Sequence, residues 1–146
     1  HLGLGERAAA GALDGWAAEP ATALARLLLL DQLPRNVFRG TPKAFATDAM
    51  ALSAARDMVD RGFDRAFPVE ARQFCYLPFQ HAEDLGAQET SLDLFRAMGE
   101  ERGYFYALMH HDAIRRFGRF PHRNPILGRE TTAAEAAYLA SGGFRG

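Results

Sequence analysis

Between Arg115 and Glu130 the sequence reads RRFGRFPHRNPILGRE, which sets five arginines, one histidine, two glycines and two prolines ahead of a single terminal acid. Gly118 and Gly128 admit backbone conformations closed to other residues, and Pro121 and Pro125 stiffen the chain between them. Arg119, Arg123 and Arg129 present planar forks that fit carboxylate or phosphate, with His122 among them and Asn124 as structural support. Phe117 and Phe120 interleave with the charges, as in a base-stacking surface. The competing reading is a rigid loop whose arginines answer internal acids and cap helix ends. A formal net charge of −1 supports this second reading, because the acids of the chain need partners.

Three other places carry chemistry. Asp31 follows four leucines in LLLLDQLPRNVFRG, so it is drawn toward the interior, where an unpaired carboxylate is costly. Arg35, four residues on, predicts a bidentate ion pair with it, which is a structural role. The functional alternative has Arg35 and Arg39 binding an anion while Asp31 orients one of them. In QHAED, His81 with Glu83 and Asp84 has metal-compatible donors, but neither HExxH nor Glu-x-x-His spacing is present and no metal is assigned. Glu83 and Asp84 also suit the first turn of a helix, where their charge opposes the dipole. In HHD, helical geometry turns His110 toward Tyr106, Ile114 and Phe117 and into the core, with His111 on the polar side. A core histidine is the leading role for His110 and a general base the alternative.

The elements that position these groups read as helices. An alanine-rich, glycine-interrupted helix spans about 6–18, with Trp16 as its core anchor. Pro20 opens an apolar helix over about 21–33, in which Pro34 forces a change soon after Asp31. Thr41-Pro42 starts another, with Phe45, Ala49, Leu52 and Val59 inward and Gly62 as its stop. Pro68 opens a short helix, with Phe74 and Leu77 inward, that Pro78 interrupts. Helices follow over 83–98, with Leu85, Leu92 and Phe95 inward, and over 102–117, with an apolar stripe of Phe105, Met109, Ala113 and Phe117. Thr132 and Glu135 form a capping box before a last helix through Leu139. No stretch alternates with period two, so the class is all-α, in about six to seven helices.

The totals set limits. The 146 residues fit a single helical domain, 1–146, with a core of its own. With balanced charge there is no global field to drive the chain onto nucleic acid. One cysteine, Cys75, excludes an internal disulfide framework and suits a reducing cytoplasm. No apolar run nears the ~20 residues of a membrane span, and no signal peptide is legible. The chain begins at His1 rather than Met, which is read as the loss of part of a natural N-terminal segment.

LLLLDQLPRNVFRGTPKAFATDAMAL, LPFQHAEDLGAQETSL and HHDAIRRFGRFPHRNPILGRETTAAEAAYL resemble the hallmark blocks of the bacterial family called Domain of Unknown Function 924. The resemblance spans roughly residues 10–140. It implies a tetratricopeptide-like, right-handed array of antiparallel helix pairs in a cytoplasmic bacterial protein, with an upstream Phe-Trp-Phe-Gly-like segment that this sequence lacks and whose absence leaves part of the core open. It implies no catalytic residues. Two functions compete on these grounds. The first is a binding module without cofactor, in which Arg35, Arg39, Arg119, His122 and Arg123 accept an anionic small molecule or peptide, supported by Asp31, Glu83, Asp84, Asn124 and Arg129. The second is a hydrolase-like or acid–base enzyme using His81, Glu83, His110 and His122, with or without a metal. A further alternative is a protein-interaction scaffold whose polar groups bind only one another. A sealed arginine loop would favour the scaffold.

Overall fold

The computed structural model describes residues 3–146. Every regular element among them is helical: α1 (Leu4–Ala9), α2 (Pro20–Leu30), α3 (Gln32–Val37), α4 (Asp48–Asp60), α5 (Val69–Gln80), α6 (Leu85–Met98), α7 (Glu101–Phe117), α8 (Asn124–Leu127) and α9 (Ala133–Ala140). Short 3-10 turns at Asp14–Ala18, Pro42–Phe45, Phe63–Ala66 and Pro121–Arg123 connect them. The all-helical expectation holds. The residues fall into two compact units, one ending at Phe79 and the other running Gln80–Gly146.

In the first unit α2 packs against α1, α3 and α4. Pro20 sits in its first turn, and Ala23, Leu27 and Leu30 are its buried residues. The helix ends at Leu30 with Asp31 as its C-cap, close to the break expected soon after Asp31. The chain runs on into α3, where Pro34 is the third residue and its missing N–H would have no intrahelical partner anyway. Thr41-Pro42 opens only a 3-10 turn, and the Thr41 hydroxyl donates to Phe38 O rather than capping a helix. α4 begins at Asp48 instead, once the Thr47 hydroxyl has tied the chain to Leu30 O at 2.6 Å.

The buried face of α4 is Ala51, Ala54, Ala55 and Met58, with Ala49 exposed and Leu52 and Val59 half-buried. Small side chains let α4 approach α2 closely, so the face in contact is not the one with the largest apolar residues. Trp16 is likewise only half-buried, and Leu13, 2% exposed, anchors that segment. Pro78 does not interrupt α5; it lies inside the helix and is itself buried. Burial of Cys75, Tyr76 and Phe79 around it outweighs the lost backbone bond, while Phe74 and Leu77 are only half-buried.

In the second unit α6 and α7 pack along each other across a two-residue turn. A Cβ added at Gly103 would lie 3.0 Å from the Phe95 ring, so the glycine sets how closely the pair meets. Asp84 caps α6 by accepting from Ala87 N, and Glu100 caps α7 by accepting from Arg102 N and Gly103 N. Leu85 and Phe105, both expected inward, are 46% and 56% exposed. His110 and Ile114 are buried as the helical wheel requires. Gly118 ends α7 at φ +71, a left-handed value that suits glycine. The Thr132–Glu135 capping box opens α9 as expected.

Candidate functional site

In the second unit the end of α7, the turn Pro121–Arg123, α8 and the start of α9 gather the arginine-rich loop around two carboxylates. Arg129 grips Glu83 with both terminal nitrogens, at 2.9 and 3.0 Å. Its Nε donates to Asn124 Oδ1 and its Nη2 also reaches Phe120 O. Glu83 accepts the Phe120 N–H at 2.6 Å as well, so this one carboxylate fixes both ends of the loop. Burial pushes the Glu83 carboxyl up, but the Arg129 fork, the Phe120 N–H and the charges of Arg123 and Arg129 outweigh it and hold it below the usual range.

Arg119 makes the second fork, to Glu135 at 2.9 and 2.8 Å, and donates to Glu130 O at 2.6 Å. Glu135 is 2% exposed and also accepts the Thr132 N–H. The Arg119 fork, against the cost of burial, lowers its carboxyl to about 2, helped by Thr132 and Asn124. Arg123 is buried, stacks its guanidinium over Phe120 at 4.7 Å and donates to His81 O at 2.9 Å. Asn124 is fully buried between Arg129 and Glu135. Arg119 and Arg123, the loop arginines expected to receive an anion, are thus occupied by internal oxygens.

The three histidines meet in an aromatic setting. The His81 and His110 rings lie 6.3 Å apart. Phe144 packs on His110 at 4.1 Å and on His122 at 5.0 Å, and Phe120 touches both of them. His110 Nδ1 donates to Tyr106 O at 2.7 Å, which leaves its lone pair on Nε2. Burial, reinforced by nearby His81, Arg123 and His122, lowers His110 to about 3, against the pull of that backbone bond. Burial and Arg123 lower His122 to about 4, and its Nδ1 is buried without a hydrogen-bond partner. Bases this weak are poorly matched to proton transfer near neutral pH. Among the described residues no group of three His, Cys, Asp or Glu side chains converges to hold a metal ion.

Asp31, Arg35 and Arg39 belong to the first unit. Asp31 is buried, as its place after four leucines requires. The expected bidentate bond of Arg35 goes elsewhere, to Asp48 at 2.7 and 2.9 Å, while Asp31 accepts from Arg35 Nη1 at 3.3 Å on its carboxylate and 3.1 Å on its carbonyl, and from Gln32 Nε2 at 2.8 Å. Arg39 is exposed.

The family described as bacterial protein of unknown function (DUF924) matches residues 2–143. The chain belongs to the DUF924 family. It is similar to a protein of unknown function from Agrobacterium tumefaciens, whose solved structure superposes with a TM-score of 0.91 at 48% identity, over 94% of this chain and 78% of that one. No curated protein matches the sequence. In this DUF924 chain the partners that sequence reasoning passed over are Asp48, Glu135 and Phe144. Glu135 was visible as a capping-box acid but not as the partner of Arg119, sixteen residues away. Phe144 carried no signal, being one aromatic in a glycine-rich tail.

Proposed function

We propose that this protein is a non-catalytic helical scaffold for protein interaction, in which the arginine-rich loop is a structural lock. One observation carries this reading: Arg119, through Nε and Nη2, and Arg129, through Nη1 and Nη2, each make a two-point bond to an internal carboxylate. An anion entering the cluster would have to displace a bidentate, partly buried carboxylate, and such a pair is costly to break. A tetratricopeptide-like pairing of helices, which the sequence resemblance implies, would fit a scaffold, since stacked helix pairs offer extended faces to a partner. The lone buried thiol of Cys75, pushed up to about 12 by burial and by the Asp64 charge, is inert and suits a reducing cytoplasm.

Thermal melts in phosphate, nucleotides, small carboxylates and acidic peptides test the reading against the anion-binding one. A ligand that fits a preformed site stabilises by an amount that grows with its concentration over its Kd. The expected outcome is no saturable rise in Tm for any of them at matched ionic strength. A saturable rise that Arg119→Ala or Arg123→Ala removes would return the cluster to ligand binding.

A further inference from the structure

Beyond α9 the chain doubles back on itself. Gly142, at φ +90, makes the turn. Gly143 then passes so close to Tyr138 that an added Cβ would lie 2.5 Å from Tyr138 O and 2.6 Å from its ring. Gly143 N donates to Tyr138 O and Phe144 N to the Tyr138 hydroxyl, both at 2.9 Å. Arg145 donates to Leu139 O from Nε at 3.1 Å and from Nη2 at 2.6 Å. Residues 142–146 are thus a strap tied back to α9.

What the strap covers is a pair of imidazoles. Phe144, half-buried, lies on His110 at 4.1 Å and on His122 at 5.0 Å, and packs against the buried Phe120. Gly146 rests on the other side of the contact, where an added Cβ would lie 2.9 Å from His122 Nε2. This closure suits neutral rings alone. An imidazolium donates from both nitrogens, and His122 Nδ1 is buried with no acceptor. The charges facing the two rings are mostly basic: Arg123 from the Pro121–Arg123 turn, Arg129 from beyond α8, and His81 from the end of α5. Glu83 is the acid that faces them, and its carboxylate already accepts from Arg129 and from the Phe120 N–H. On the strap's own side, Tyr138 and Arg145 are engaged in holding it.

We propose that residues 142–146 are a pH-sensitive strap, in which proton uptake by His122 and His110 lifts Phe144 off while the helices and the arginine lock stay in place. Opening returns the rings to water, where they titrate near their ordinary 6.5, whereas the closed strap holds His110 at about 3 and His122 at about 4. The open form therefore binds more protons, so opening grows as pH falls through 6.5 and flattens below the closed-state values. For His122 alone the opening equilibrium is about 20-fold larger at pH 5 than at pH 7. The inference goes beyond the scaffold reading and does not rest on it, because the Arg119 and Arg129 forks take no part in the strap.

Backbone-amide NMR of the 146-residue chain between pH 7.5 and 4.5 tests it. The Gly143, Phe144 and Arg145 amides are expected to move toward random-coil positions and lose their heteronuclear NOE as pH falls. The amides of α6, α7 and α9 keep their dispersion over the same range. His122→Asn removes one proton from the linkage and cuts the gain in opening between pH 7 and 5 by about 20-fold. Linkage is reciprocal, so Phe144→Ala, which frees the rings at neutral pH, raises the His122 midpoint read from its ring protons from about 4 toward 6.5. Gly143→Ala does the same without touching either imidazole, through its clash with Tyr138. Any of four results overturns the proposal: strap amides already at random-coil positions at pH 7.5, strap amides that move only when the helices unfold, a pH dependence untouched by His122→Asn, or a His122 midpoint unchanged by Phe144→Ala.

Discussion

At the scale of single residues, Glu83 is the group on which the loop depends. It accepts from Arg129 twice and from the Phe120 N–H, and its side chain is 22% exposed. Breaking a partly buried pair leaves a cation without its counter-charge, so Glu83→Gln is expected to cost about 2–3 kcal/mol in chemical denaturation. Asp112→Ala, which removes the exposed pairs to Arg115 and Arg116, should change stability by about 0.5 kcal/mol or less. Equal costs for the two would argue against a lock. Acid provides a second check. His110 and His122 have folded-state values of about 3 and about 4, below their ordinary 6.5, so the unfolded chain binds more protons between those limits. Stability therefore falls as pH drops from about 6.5 toward 4, and a further loss sets in below about 4.5 as Glu135, held at about 2, loses its advantage. Denaturation midpoints across this range should show both phases, and His122→Asn should reduce the upper one. The burial of Asp31 and of His110 was legible from spacing. The choice of Asp48 over Asp31 for the Arg35 fork was not, because it joins residues thirteen apart through the turn that seats α4.

At the scale of elements, local signals were read correctly where the chemistry is local. Thr132 and Glu135 satisfy each other's backbone N–H across three residues, and no tertiary contact is needed to predict it. Thr132→Ala is expected to cost about 1 kcal/mol. Gly118→Ala should cost about 1–2 kcal/mol, since the residue sits at φ +71 with nothing within 4 Å of an added Cβ, so that strain alone is measured. Urea midpoints of both variants check these values. The misjudged elements are those where packing outvotes local preference. Pro34 and Pro78 look like stops, yet one falls where no N–H is required and the other is carried by buried neighbours. The face of α4 was misjudged for a related reason: its alanines weigh little in a hydrophobic pattern but are the residues it buries, with Met58.

At the scale of the whole molecule, the balance of charge decides which partners are excluded. The chain carries a formal charge of −1, and the loop's exposed Arg115 and Arg116 are both held by Asp112. No free arginine stripe remains along the loop to neutralise a run of phosphates. Gel-shift titration with single-stranded and duplex oligonucleotides should therefore show no binding near physiological salt. Binding with a steep salt dependence would reverse this reading. Among the described residues no helix is long and apolar enough to cross a membrane, in keeping with the absence of long apolar runs.

The sequence by itself determined that the chain is helical, where α4, α6, α7 and α9 stop, how α9 is capped, and that Asp31 and His110 would be drawn inward. Each of these follows from residue types within a few positions of one another, where backbone geometry fixes the distances. Only the tertiary structure decided which acid each arginine takes. Arg119 to Glu135 and Arg129 to Glu83 span 16 and 46 residues, and one guanidinium fork fits any carboxylate that the fold presents. That choice decides which carboxylates hold the basic loop. The same holds for Phe144, which reads as one aromatic among glycines until the turn after α9 lays it on His110 and His122.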